Sequence, residues 1–272
     1  MYLASLVRNA MKNDSIVTAY VYGEMGVGKT SYALWVAREV LGGWEVVLDH
    51  LFFRPEEVIR AVIREARRGG KLPIIIMDDA GTWLDRMTWW EREKVSFMKF
   101  FNLIRSVAHS IIFTTPSEEL PKQVANKCFI RVSVRRVTNE ELESIYGDAS
   151  VLVKTAKEHG VKPLFSLATG YVVKTLPSFM LQVKKEFYDA FPTHYPDNIF
   201  REYEVMRRKA VLSLLRMWEA EMRSKALNDA VQMLSEGARK SEIVKRLIAY
   251  GIPRSTAYRL LGRLESMTNR ST

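Results

Sequence analysis

Ile16-Val17-Thr18-Ala19-Tyr20-Val21-Tyr22-Gly23-Glu24-Met25-Gly26-Val27-Gly28-Lys29-Thr30-Ser31 is the stretch that decides the fold. Its first seven residues are apolar, aromatic or β-branched and read as a buried strand. Gly23 to Thr30 then match G-x-x-x-x-G-K-[ST], and residues 31–41 read as a helix. A strand that turns through glycines into a helix opens a parallel α/β sheet. Such glycines let backbone N–H groups turn inward around phosphate oxygens, and the helix start adds the positive end of its dipole. Gly23, Glu24, Met25, Gly26, Val27, Gly28, Lys29, Thr30 and Ser31 are therefore the expected nucleotide-binding residues. Lys29 is suited to neutralising β- and γ-phosphates, and the Thr30 hydroxyl to binding Mg²⁺.

Outward from this stretch, short apolar runs alternate with helical patterns, as in a parallel sheet flanked by helices. Residues 44–48 read as a second strand and 55–68 as an amphipathic helix opened by Pro55. Residues 73–77 are apolar throughout and read as a central strand, 91–107 as a long helix, 110–113 and 129–137 as further strands. Past about residue 150, runs 151–154, 164–167 and 171–176 read as extra strands. The last two form an expected hairpin through Ala168-Thr169-Gly170. Residues 191–198 are a turn-rich break, and 199–234 read as nearly continuous helix. The expected division is a sheet domain over 1–198, a connecting helix over 199–225 and a small all-α domain over 226–272.

Composition agrees with a folded chain. Of 272 residues 47% are hydrophobic and 26% charged, which excludes wholesale disorder. No apolar run reaches the ~20 residues that span a bilayer, so no membrane span is expected. The N-terminus lacks the long apolar stretch of a secretory signal, and Cys128 is the only cysteine, so a reducing, cytoplasmic setting is expected. Lys and Arg number 41 against 31 Asp and Glu, a net charge of +10 that favours polyanionic partners.

A magnesium-holding carboxylate is expected at the end of a neighbouring strand, and Pro73-Ile74-Ile75-Ile76-Met77 runs into Asp78-Asp79. Together the two motifs resemble the P-loop NTPase superfamily, in its additional-strand branch of AAA+ and DNA-pumping motors. The resemblance implies ATP and Mg²⁺, with Asp78 as the metal-binding acid. Asp79 stands where the branch carries a glutamate that polarises the attacking water, and aspartate is one methylene shorter. It also implies a polar sensor at the end of the next strand, at Thr114 or Thr115, and an arginine finger from an adjacent subunit. Arg105, Arg131, Arg135 and Arg136 are the candidates for that finger. The segment from Asp78 to Pro121 is also similar to pumping-ATPase and Zot-like families. Trp83, Trp89 and Trp90, near Phe97, Phe100 and Phe101, read either as core or as a subunit- or DNA-touching loop.

The C-terminal residues 241–261 have helix-turn-helix grammar. Ser241 is the expected cap of a first helix carrying Ile243, Val244, Leu247 and Ile248 on one face. Gly251 supplies the turn, Ser255 is the expected cap of a second helix, and 227–234 the supporting helix. At about 100° per residue, Ala257, Leu260, Leu261 and Leu264 share one side of the second helix. Thr256, Tyr258, Arg259 and Arg263 fall on the other, with Ser255. The string Gly-Ile-Pro-Arg-Ser-Thr-Ala-Tyr-Arg resembles the DNA-binding end of serine recombinases, whose catalytic domain has no counterpart here. That resemblance implies double-stranded DNA as partner, with Arg254, Ser255, Thr256, Tyr258, Arg259 and Arg263 as contacts. The whole resembles small ATPases of archaeal viruses and plasmids, expected to act as homo-oligomers. Two roles stay open: a motor or loader on DNA, and a DNA-binding regulator switched by nucleotide.

Overall fold

In the computed structural model, residues 1–85, 99–116, 122–176 and 181–268 are described. The chain is mixed α/β, with a seven-stranded sheet in the order β2-β3-β4-β1-β5-β6-β7 flanked by helices. The strands are β1 (Val17–Tyr22), β2 (Leu51–Phe52), β3 (Ile75–Met77), β4 (Ser110–Thr115), β5 (Ile130–Val137), β6 (Phe165–Thr175) and β7 (Leu181–Pro192). Strands β2, β3, β4, β1 and β5 run parallel, and β6 and β7 extend the sheet antiparallel. The first half of the sheet is thus the parallel array expected from the sequence. Residues 1–205 and 206–272 form two compact units.

Helices α1 (Tyr2–Lys12), α2 (Lys29–Leu41), α3 (Pro55–Ala66), α4 (Ala80–Asp85), α5 (Lys122–Ala125), α6 (Asn139–Tyr146) and α7 (Ser150–Glu158) belong to the first unit. Local chemistry fixes their starts. Pro55 supplies the fixed φ of a first turn, and the Glu57 carboxylate accepts the N–H groups of Phe53 and Arg54, both at 3.2 Å. Thr138 and Glu141 cap α6 reciprocally. Under one face of the sheet, Tyr20, Ile75, Met77, Ile111 and Phe113 pack with Val58, Ala61 and Val62 of α3 and with Phe101 and Ile104. Phe100 and Phe101 are therefore core residues, and the Phe101 ring meets Phe113 edge-on at 5.7 Å. The side chains of Trp83, Trp89, Trp90 and Phe97, and residues 91–98 of the expected long helix, lie outside the described residues.

Four elements differ from the sequence expectation. Residues 44–48 are not a strand: a 3-10 turn (Leu48–His50) precedes the two-residue β2. Trp44 is drawn instead to Trp35, edge-on at 4.8 Å, and its indole N–H points at His159 Nδ1, 3.4 Å away. Residues 151–154 are helical within α7, because the Asp148 carboxylate accepts both the N–H and the hydroxyl of Ser150 and starts a helix there. Ala168-Thr169-Gly170 is not a turn but the middle of β6, whose hairpin partner is β7. Gly170 serves close approach: a Cβ there would lie 2.1 Å from the Phe187 ring, at the irregularity between Gly170 and Tyr171. Finally, 191–198 is only partly a break, since Phe191 and Pro192 end β7 and the next helix begins at Asp197.

That helix, α8 (Asp197–Ser235), is followed by α9 (Lys240–Ala249) and α10 (Arg254–Thr268). In the second unit Ala226 and Ala230 of α8, Ile243, Val244 and Leu247 of α9, and Ala257 and Leu261 of α10 form one small core. Neither expected serine cap is used. Arg239 precedes α9, its N–H donating to the Glu242 carboxylate at 3.2 Å, and Ser241 is exposed inside the helix. In α10 the Ala257 N–H already reaches the Pro253 carbonyl at 2.9 Å, so Ser255 also lies within the helix. Asp229 ties α8 to α9, accepting from Arg246 at 3.0 Å and from the Tyr250 hydroxyl at 2.5 Å. Among the described residues no helix is long and apolar enough to cross a membrane.

Candidate functional site

Parallel strands bring their C-terminal ends to one edge of the sheet, and the register there sets the site. Val21 of β1 lies beside Thr114 of β4, and Met77 of β3 beside Phe113, so Asp78 follows at the level of Thr114. The Gly23–Gly28 loop leaves the end of β1 and hands over to α2 at Lys29. Gly26 and Gly28 have φ of +79° and +97°, the left-handed region that favours glycine. Gly23 is fixed by contact as well, since a Cβ there would stand 2.3 Å from the Val134 carbonyl oxygen of β5.

The loop is also held from behind. Ser166 of β6 donates to the Val27 carbonyl at 2.8 Å and shares a second 2.8 Å bond with Thr193. Lys29 is almost buried, and its ammonium turns back on the loop, donating to the Gly23 carbonyl at 3.1 Å and the Glu24 carbonyl at 2.7 Å. Met25 at the loop tip is exposed, while Ser31 is buried in α2.

Asp78 is wholly buried and is met by three hydroxyl groups. Thr30 Oγ1 donates to Oδ1 at 2.7 Å, Thr114 Oγ1 to the same oxygen at 2.5 Å, and the Tyr203 hydroxyl to Oδ2 at 2.8 Å. A buried carboxylate needs such donors, because removing it from water without them is costly. Between the two threonines left open by the sequence, the structure brings Thr114 to Asp78. Thr115, the next residue of an extended strand, has its buried Oγ1 without a protein hydrogen-bond partner. A Cβ on Gly81 would stand 2.8 Å from that same Oγ1. Asp79 has φ +49°, and its N–H donates to Thr114 Oγ1 at 3.1 Å.

The four candidate arginines are scattered. Arg105 is near Asp14, whose carboxyl is held below its ordinary range chiefly by Lys71, with lesser help from His109 and Arg105. His109 also accepts the Val17 N–H, so Arg105 belongs to the edge where β1 and β4 begin, away from the loop. Arg131 has its guanidinium 5.9 Å from the Tyr20 ring centre and its Nε buried. Arg135 pairs with Glu141 at 3.0 Å. Arg136 is the one brought to the loop, donating to the Gly26 carbonyl at 3.0 Å across a cleft of 810 Å³ lined by Tyr22, Glu24, Ser133 and Arg135. Cys128 takes no part: burial pushes its thiol up to about 12.

Sequence reasoning missed Tyr203, Ser166 and Thr193. All three come from elements after residue 160 that carry no motif, and Tyr203 gave no signal beyond its place in a long helical pattern. In the second unit, Arg254, Ser255, Tyr258, Arg259 and Arg263 are exposed on α10 and Thr256 is half-buried, with Ala257 and Leu261 turned into the core.

No family model matches the chain. It is 39% identical over 125 residues to the uncharacterized protein B-251 of Sulfolobus spindle-shape virus 1, covering 43% of this chain and 50% of that protein. It is 29% identical over 160 residues to the uncharacterized protein ORF286 of Acidianus two-tailed virus, covering 54% and 56%. The chain thus spans about half the length of these curated relatives. Both are proteins of archaeal viruses, and neither name states an activity.

Proposed function

We propose that this protein is a P-loop ATPase that binds and hydrolyses Mg·ATP, joined to a helix-turn-helix unit that binds double-stranded DNA. The observation that carries the reading is the 2.7 Å bond between Thr30 at the start of α2 and the buried Asp78 at the end of β3. A hydroxyl and a carboxylate so placed beside a glycine loop offer hard oxygen donors of the kind that suit Mg²⁺. The residues fit the group: Thr30 and Asp78 would hold the metal, and the Gly23–Gly28 backbone with Lys29 would hold the phosphates. When bound, the metal supplies charge neutralisation at the transferring phosphoryl group. Lys29 then exchanges the carbonyls of Gly23 and Glu24 for phosphate oxygens. Thr114 keeps Asp78 and the Asp79 backbone in place, and Asp79 would be the carboxylate that polarises the attacking water.

The exposed donors of α10 suit a major groove, with guanidinium groups for guanine edges or phosphates and hydroxyls for phosphates. The protein would act as a homo-oligomer in the cytoplasm of a virus-infected cell, as a motor or loader on DNA. A nucleotide-switched regulator with slow turnover is the second reading, favoured by the short side chain of Asp79 and its left-handed backbone. Calorimetry with Mg·ATP tests the first claim, and absence of binding would remove it. ATP hydrolysis measured with and without duplex DNA, alongside a translocation assay, separates the two roles. Stimulated turnover with movement supports the motor; slow, DNA-independent turnover with nucleotide-dependent DNA binding supports the switch.

A further inference from the structure

We infer that Tyr203 of α8 is a positioning residue for the metal-holding carboxylate, an inference that rests on the nucleotide-site reading above. Three separate elements supply the hydroxyls on Asp78: α2 through Thr30, β4 through Thr114, and α8 through Tyr203. The first two load Oδ1, and Tyr203 binds Oδ2 at 2.8 Å. A carboxylate with donors on one oxygen can still swing about its Cβ–Cγ bond. Donors on both oxygens fix its plane. Partners that orient a metal ligand in this way are a large part of the affinity of a metal site.

The tyrosine is built for that purpose. It is 4% exposed, and its ring packs against Phe53 at 6.1 Å and edge-on against Tyr195 at 6.0 Å. Apolar packing thus sets the ring, and the hydroxyl extends from it to the acid. None of the motifs in the first half of the chain contains this residue, which reaches the site from a position 125 residues beyond Asp78. The consequence is that the metal requirement of the site is set partly by α8.

Tyr203→Phe keeps the ring and deletes the hydroxyl. Binding of a fluorescent ATP analogue to the full-length protein is titrated with MgCl₂, and measured again in EDTA. The variant is expected to need about 10–100-fold more Mg²⁺ for half-maximal binding, the usual effect of losing a ligand-orienting partner. Its metal-free binding is expected to match the wild type. Val62→Ala removes packing from the core under the sheet, in a cluster that does not include Tyr203, so it is expected to lower thermal stability and leave the Mg²⁺ midpoint in place. An unchanged midpoint in Tyr203→Phe, or equal weakening with and without Mg²⁺, overturns the role of Tyr203 while the nucleotide site stands. A wild-type protein that binds no nucleotide with Mg²⁺ overturns the nucleotide-site reading, and this inference with it.

Discussion

Replacing Thr114 by valine deletes one hydroxyl and keeps the shape of the side chain, so it isolates the bonds on Asp78 from packing. Thr114 is 1% exposed and its Oγ1 does two jobs, donating to Asp78 Oδ1 at 2.5 Å and accepting the Asp79 N–H at 3.1 Å. Losing a hydrogen bond to a charged group costs about 1.5–3 kcal/mol, and leaving a buried N–H without acceptor about 1–3 kcal/mol. The added methyl returns about 0.8 kcal/mol of burial. The net loss is about 3 kcal/mol. For a unit the size of residues 1–205, each kcal/mol moves the melting temperature by about 2–4 °C, so Thr114→Val should melt about 6–12 °C lower. Scanning calorimetry is the assay, because two compact units are read better as separate transitions than as one midpoint. Thr114→Ser keeps the hydroxyl and loses a methyl, so it should fall by only about 2–3 °C. If valine and serine variants melt together, the Thr114 hydroxyl does not hold Asp78.

Lys29→Ala should abolish nucleotide binding, since it removes the ammonium beside the Gly23 and Glu24 carbonyls, and leave binding of duplex DNA intact; a gel-shift assay beside a nucleotide titration checks both. Arg259→Ala, at an exposed position of α10, should weaken binding to a preferred DNA sequence by about 1–3 kcal/mol if the guanidinium reads a base; an equal loss on every sequence would make it a phosphate contact. His50 and His159 are both held below their ordinary value near 6.5, chiefly by burial. Their neutral forms are favoured in the fold, so the stability they contribute is complete above about pH 6.5 and is lost as pH falls through the folded values. Denaturant midpoints at about pH 7.5 and pH 5 should therefore diverge in the wild type and draw together in a His50→Gln, His159→Gln double variant.

Strands β1, β3 and β4 were legible because each is short and apolar and runs straight into a motif residue, whereas the two-residue β2 was not. Tyr22 leads into the loop, Met77 into Asp78, and Phe113 into Thr114. The antiparallel half was harder. A glycine inside an apolar run reads as a turn, and only the Phe187 ring across the ladder shows why Gly170 is glycine. Residues 151–154 carry β-branched side chains, yet the Asp148 carboxylate on the Ser150 N–H sets a helix whose propensity alone is poor. The serines at 241 and 255 were natural cap candidates, but each helix starts two residues earlier than those caps require, with Glu242 accepting the Arg239 N–H and the Pro253 carbonyl accepting the Ala257 N–H.

The site divides the same way. The meeting of the Gly23–Thr30 loop with Asp78 and Thr114 was readable because parallel strands bring their C-terminal ends to one edge of the sheet. The other half of the site supports rather than contacts: Ser166 and Thr193 behind Val27, Tyr203 on Asp78, Arg136 on Gly26. A supporting hydroxyl can come from any element that happens to reach, so no spacing announces it. This has a bearing on motor against switch. The Asp79 N–H is tied to Thr114, and Thr114 in turn to Asp78, so the position of Asp79 is linked to Asp78. On the proposed reading, a change at Asp78 when metal binds would be felt through Thr114 at the backbone of Asp79. Asp79→Glu restores the methylene that the additional-strand branch carries: faster turnover would show that reach limits the chemistry. Unchanged turnover would place the limit in the backbone at this position, where Asp79 has φ +49°.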